Sequence, residues 1–266
     1  MKISKQSAFL LGLMTIMLVY WVGIVLSDIT DLPVNLYYSV GITLVAFAGG
    51  VMGIFLSKKW GGRKSAVGTA ILFISLGTTV WSIGSFIWSF YNLALNLEVP
   101  YPSLADIGYI SAIPLWIVGI FYLSKATGAG VSIRKIGGRV LLVLLPVIAS
   151  ISSYYLLFVV ARDSSFDWDG GVLKVFFDLA YPVGDWIVLT FAFLIWGLSL
   201  KYLGGKYRWP VFIILLGFLT MFLADFSFSY TTTVGTYYNG SYPDFLFALA
   251  MFLLGFGINS FDPKQQ

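Results

Sequence analysis

The chain has 266 residues, of which 59% are hydrophobic and 11% charged, and its mean hydropathy is +0.89. A soluble domain carries about a quarter charged residues, so this composition excludes a water-soluble fold and points to an integral membrane protein. With no Cys and no His, thiol chemistry, disulfides, His-ligated metals or haem and His-based acid–base catalysis are excluded too.

Apolar stretches of about 20 residues occur at 8–27, 36–56, 66–93, 105–124, 140–161, 183–203, 209–233 and 244–261. They predict an all-α, polytopic bundle of eight transmembrane helices. The first stretch is too long for a signal-peptide core and no small-x-small cleavage site follows it, so it reads as span 1. Residues 1–266 read as one integral membrane domain: helices 1–2 in 1–62, then hairpin 3–4 in 63–128, hairpin 5–6 in 129–205 and hairpin 7–8 in 206–266. No catalytic or nucleic-acid-binding module is expected outside the bilayer.

The charges alternate with the connections. Lys2, Lys5, Lys58, Lys59, Arg63, Lys64, Lys125, Arg134, Lys135, Arg139, Lys201, Lys206, Arg208 and Lys264 share one side, which is 14 of the 16 basic residues. The other side has Arg162 and Lys174 with the acidic loops "SDITD" and "ARDSSFDWD". By the positive-inside rule this predicts a multi-pass protein of the cell membrane with both termini cytoplasmic. The basic groups are then membrane anchors, and no nucleic-acid partner is expected. The Asn-Gly-Ser triplet at Asn239 falls on the outer side, where a glycan acceptor belongs.

Spans 4, 6 and 8 are each preceded by a similar short motif: "YPSLAD" at 101–106, "YPVGD" at 181–185 and "YPD" at 242–244. Pro suits the first turn of a helix. An Asp there accepts from free amides and complements the helix dipole, and Tyr suits the interfacial belt. Each motif is thus expected to open an inward-running helix. Laying "LGTTVWSIGSFIWSFY" (76–91) on "LGFLTMFLADFSFSY" (216–230) matches Gly77 with Gly217, Gly84 with Ala224, Ser85 with Asp225 and Ser89 with Ser229. Beyond the motif, Gly119 matches Gly257. Hairpins 3–4 and 7–8 therefore read as parallel copies, with 5–6 a diverged third.

Asp225 lies inside span 7, about nine residues from its outer end, and caps nothing. An ionisable group at that depth is costly unless paired or hydrated, and it marks a functional site. Asp178 shares a face with Asp185 if the helix continues through Pro182, and its spacing from Lys174 suits a local ion pair. The outer half is rich in aromatic side chains, which together with carboxylates suit a cationic or apolar ligand. The candidate ligand-binding set is Asp106, Asp178, Asp185, Asp225 and Asp244 with Tyr101, Tyr181, Tyr242, Trp88 and Tyr230. No catalytic residue, metal site or cofactor is assigned.

"YPSLADIGYISAIPLWIVGI", "AYPVGDWIVLTFAFLIWGL" and "ADFSFSYTTTVGTYYNGSYPDFLFALAMFLLGFGI" resemble the multi-span membrane sensor regions that precede diguanylate cyclase (GGDEF) and histidine kinase modules. The likeness covers spans 3–8, and Asp106, Asp185, Asp225 and Asp244 are the matching positions. It implies a sensor or ligand-binding module. No output domain follows Phe261, so signalling is expected to pass to a separate partner. A fainter likeness to eight-span lysoplasmalogenase-type hydrolases implies a carboxylate-based lipid hydrolase, although His and the paired motif are missing. A retinal protein is disfavoured because spans 7 and 8 contain no Lys. The remaining alternatives are a proton- or cation-coupled transporter and an accessory subunit of a membrane complex.

Overall fold

The computed structural model describes residues 4–28, 30, 33–127, 136–164, 171–199 and 207–261. Among these, every regular element is helical, and eight helices are long and apolar enough to cross a bilayer. They are α1 (Lys5–Leu26), α2 (Pro33–Lys59), α3 (Ala66–Leu93), α4 (Leu104–Ala126), α5 (Ile136–Ser153), α6 (Gly171–Ser199), α7 (Arg208–Thr233) and α8 (Tyr242–Asn259). A π-helical stretch, Tyr154–Val160, continues α5, and a 3-10 turn, Gly62–Lys64, joins α2 to α3. The architecture is that of a multi-pass membrane protein. Several charges used above lie outside the described residues: Lys2, Asp31, Arg134, Lys135, Asp167, Asp169, Lys201, Lys206 and Lys264.

The helices begin where a side chain can take up free backbone amides. Ser4 and Ser65 each accept from the N–H three residues on, both at 2.9 Å. Ser103 and Asp106 form a capping box at the start of α4, and Pro243 occupies the first turn of α8. Two of the three Tyr-Pro motifs therefore do open helices. The third does not. α6 starts at Gly171 and runs on through Pro182, so the expected start at 183 is too late. Pro182 removes only the hydrogen bond to the Asp178 carbonyl, four residues back, and the apolar residues on both sides carry the helix past it. Asp178 and Asp185 consequently stand on one continuous helix, about 10 Å apart along it.

Six helices close into a ring in the order α2, α3, α4, α6, α7, α8 and back to α2. α1 packs outside against α2 and α8, and α5 outside against α6. Small residues set the close crossings. A Cβ on Gly49 of α2 would stand 2.8 Å from the Gly255 Cα of α8. The Asn259 amide locks the same crossing by donating to the Gly49 and Gly255 carbonyls at 3.1 and 2.8 Å. At mid-depth the ring is filled by aromatic contacts, Trp81 with Phe247 and Trp116 with Phe218, each with centroids 5.8 Å apart.

Both ends of the bundle are tied across helices. At one end the Trp60 indole donates to the Phe261 carbonyl at 2.7 Å, Tyr207 stacks on Phe261, and the Ser4 hydroxyl donates to the Asn259 carbonyl at 3.5 Å. At the other, Asn35 of α2 donates to the Asn239 carbonyl at 3.0 Å, and the Trp88 indole of α3 donates to the Asn239 side-chain oxygen at 3.2 Å.

Candidate functional site

The acidic residues singled out in the sequence gather at the end closed by Asn239, and most are deeply buried. Asp106 is 7% exposed, Asp178 5%, Asp185 9% and Asp244 4%, whereas Asp225 is half-buried. Buried carboxylates need partners, and each has a distinct set.

Asp106 accepts from the Ser103 N–H at 2.7 Å, the Ser103 hydroxyl at 3.1 Å and the Tyr181 hydroxyl of α6 at 2.8 Å. Asp244 accepts from the Gly240 N–H at 2.7 Å and the Tyr237 hydroxyl at 3.1 Å. Gly240 aims that N–H from a φ of +81°, a conformation that suits glycine. Asp178 accepts from the Tyr101 hydroxyl at 2.9 Å and pairs with Arg162 at 2.8 Å. The chain just past the π-helical end of α5 carries Arg162 to the Asp178 carboxylate.

The tyrosines of the motifs thus serve one another's carboxylates, Tyr101 that of Asp178 and Tyr181 that of Asp106. Burial, and then the Asp178 charge, pushes the Tyr101 phenol well above its ordinary pKa. Burial and the Asp244 charge do the same for Tyr237. Both phenols are held as neutral donors.

Asp185 and Asp225 meet each other. Their side chains are in hydrogen-bonding contact across the α6–α7 interface. Asp225 lies eight residues before the end of α7, about 12 Å in from the helix terminus at 1.5 Å per residue. Neither group caps a helix. Tyr181 of α6 and Tyr109 of α4 are near enough to feel the Asp225 charge. Two carboxyl groups in contact repel each other unless a proton or another positive centre lies between them. The pair is therefore a built place for positive charge inside a membrane helix bundle.

The remaining aromatic candidates divide. Trp88 clamps the Asn239 loop and lies edge-on to Phe228 at 6.1 Å. Tyr230 is exposed and stacks on Phe226, one turn back on its own helix. Tyr242 is exposed at the start of α8, and Asp244 takes its hydroxyl donor from Tyr237 instead. Trp88, Tyr230 and Tyr242 are not brought to the Asp185–Asp225 pair. Tyr109 and Tyr237 belong to the cluster, and neither stands among the candidates read from the sequence. The periodicity of α4 carries the one available signal, since Tyr109 follows Asp106 by three residues and shares its face. The Asn239 side chain accepts from Trp88 and its backbone carbonyl from Asn35, which gives this residue a structural task in the folded protein.

No family model, curated protein or solved structure matches this chain. Fold and site together define its class: an eight-helix membrane protein with a buried acidic and tyrosine-rich end.

Proposed function

We propose that the protein is a non-enzymatic membrane sensor or ligand-binding module, and that its ligand presents a positive group to Asp185 and Asp225. One observation carries this reading: two carboxyl groups from different helices touch inside the spans, in a region that also holds Tyr181 and Tyr109. Carboxylate and aromatic surfaces together recognise ammonium groups. The ring closed at mid-depth by Trp81, Phe247, Trp116 and Phe218 favours binding from one side over passage through the bundle. The likeness to sensor regions supports the same reading.

The topology belongs to this proposal. Both termini face the cytoplasm, as the basic residues of the connections require, so the carboxyl pair lies in the outer half. Hairpins α3–α4 and α7–α8 are copies of one unit. Their matched packing supports this: a Cβ on Gly119 would meet Ile74 and the Ala70 carbonyl, and one on Gly257 would meet Ile214 and the Pro210 carbonyl. Likewise Gly77 faces Trp116 where Gly217 faces Leu254. In this pairing Ser85 corresponds to Asp225 and Tyr109 to Phe247. The second copy thus has an acid and a phenylalanine where the first has a serine and a tyrosine, and its acid meets Asp185.

The test is thermal unfolding of the detergent-purified full chain with primary to quaternary alkylammonium ions and with neutral isosteres. The cations should raise the midpoint in the wild type, and Asp225→Asn or Asp185→Asn should remove that rise. Equal stabilisation by the neutral isosteres, or an unchanged response in both variants, overturns the reading. A proton- or cation-coupled carrier is the second reading, favoured by the location of the carboxyl pair within the spans. Cation flux into proteoliposomes that disappears in Asp225→Asn selects it.

A further inference from the structure

Among the described residues, the opposite end of the bundle carries most of the basic charge, and its α2–α3 turn is the one basic connection described in full. We propose that Lys58 at the end of α2, with Arg63 and Lys64 on this turn, forms a docking site for the headgroup of an anionic phospholipid. This inference is independent of the ligand reading above.

The turn is rigid. Only six residues, 60–65, separate α2 from α3. The Gly61 N–H donates to the Lys58 carbonyl at 3.1 Å, and the Lys64 N–H to the Gly61 carbonyl at 3.0 Å. The Ser65 hydroxyl donates to the Trp60 carbonyl, while its oxygen accepts from the Gly68 N–H. The Thr69 hydroxyl reaches back to the Gly62 carbonyl at 3.4 Å. Gly61 and Gly62 take positive φ values of 83° and 53°, which lets the chain reverse this tightly. Trp60 bolts the turn to the end of α8 through the Phe261 carbonyl. Lys58, Arg63 and Lys64 are exposed on this fixed backbone.

The positions of the cations point to lipid as the partner. The Lys58 ammonium lies over the Phe55 ring at 5.5 Å, and the Arg63 guanidinium over the Phe73 ring at 5.8 Å. Phe55 is 60% exposed, one turn inside the helix end, on an apolar flank that meets acyl chains in a bilayer. A cation laid back over such a ring stands at the boundary between acyl chains and headgroups, the depth of the phosphodiester. Lys125 repeats the arrangement at the end of α4, over Phe121 and Tyr122 at 4.4 and 5.0 Å. An acidic protein approaching from water would need charges that project beyond the bundle, and a turn this short and this bonded does not project.

Native mass spectrometry of the full chain in a neutral detergent, with equimolar phosphatidylglycerol and phosphatidylcholine, tests the proposal. The wild type should retain phosphatidylglycerol in preference. Each cation near an anionic headgroup contributes roughly fivefold, so Lys58→Gln/Arg63→Gln/Lys64→Gln should lower that retention by at least about tenfold. Lys174→Gln, at the opposite end, should leave it unchanged. The variants alter exposed side chains, and an unchanged thermal midpoint verifies their fold. Equal retention of the two lipids, or a triple variant that behaves as the wild type, overturns the proposal. So does binding of polyglutamate without any lipid preference, which would identify the surface as one for acidic protein.

Discussion

Asp106 is held by three donors from two residues, Ser103 at the cap of α4 and Tyr181 of α6, and its removal exposes the energetic logic of the acidic end. Asp106→Ala leaves the Tyr181 hydroxyl and the Ser103 N–H unpaired and removes a capping box. The expected cost is about 2–3 kcal/mol, read as a lower unfolding midpoint. The raised phenols of Tyr101 and Tyr237 set a pH limit as well. Below about pH 10, the ordinary tyrosine value, they are neutral in both the folded and the unfolded chain, and their contribution is complete. Above it the unfolded chain releases these protons while the folded one retains them, so stability falls as pH rises. Unfolding midpoints followed from pH 8 to 11.5 should show this decline, and it should shrink in Tyr101→Phe.

Helix contacts decide which side chains meet, and small residues decide how closely. Gly49→Ala would place a methyl group 2.8 Å from the Gly255 backbone, where no side chain can move aside. The expected loss is about 1–3 kcal/mol. Gly12→Ala on α1 meets nothing within 4 Å and should be neutral or slightly stabilising, since alanine favours the helix. The Arg162–Asp178 pair joins the π-helical end of α5 to α6, and Tyr101 adds the connection before α4. Arg162→Gln should cost about 3 kcal/mol by leaving a buried carboxylate without its cation. It should also speed proteolysis in the 94–103 connection. Much of this level was legible in the residues: the spans and the helix starts of α4 and α8 that Pro and Asp mark. The continuation of α6 through Pro182 was not, because a proline marks a helix start and a helix interior equally well until the flanking residues are placed.

At the scale of the whole molecule the described residues are electrically polarised, acidic at the end closed by Asn239 and basic at the end closed by Trp60 and Phe261. Because the chain contains no cysteine, single-cysteine variants can report this arrangement without interference. Lys64→Cys at the basic turn and Thr236→Cys in the exposed α7–α8 connection should react with a membrane-impermeant maleimide from opposite faces. In right-side-out vesicles Thr236→Cys labels directly, and Lys64→Cys only after permeabilisation. Labelling of both from one face would contradict a transmembrane bundle of this topology.

The amino-acid sequence alone determined that eight apolar helices must form and where the charges must lie between them. Burial of apolar area and the cost of charge in hydrocarbon depend on local composition, which can be read along the chain. It also marked Asp225 as anomalous. Only the tertiary structure decided that Asp225 meets Asp185, that Tyr181 serves Asp106 and that Arg162 reaches Asp178. These partners stand 40, 75 and 16 residues apart in the chain, and helix packing alone brings them into contact. Hydrogen bonds act over about 3 Å, a distance that no spacing along separate helices can specify before those helices are packed.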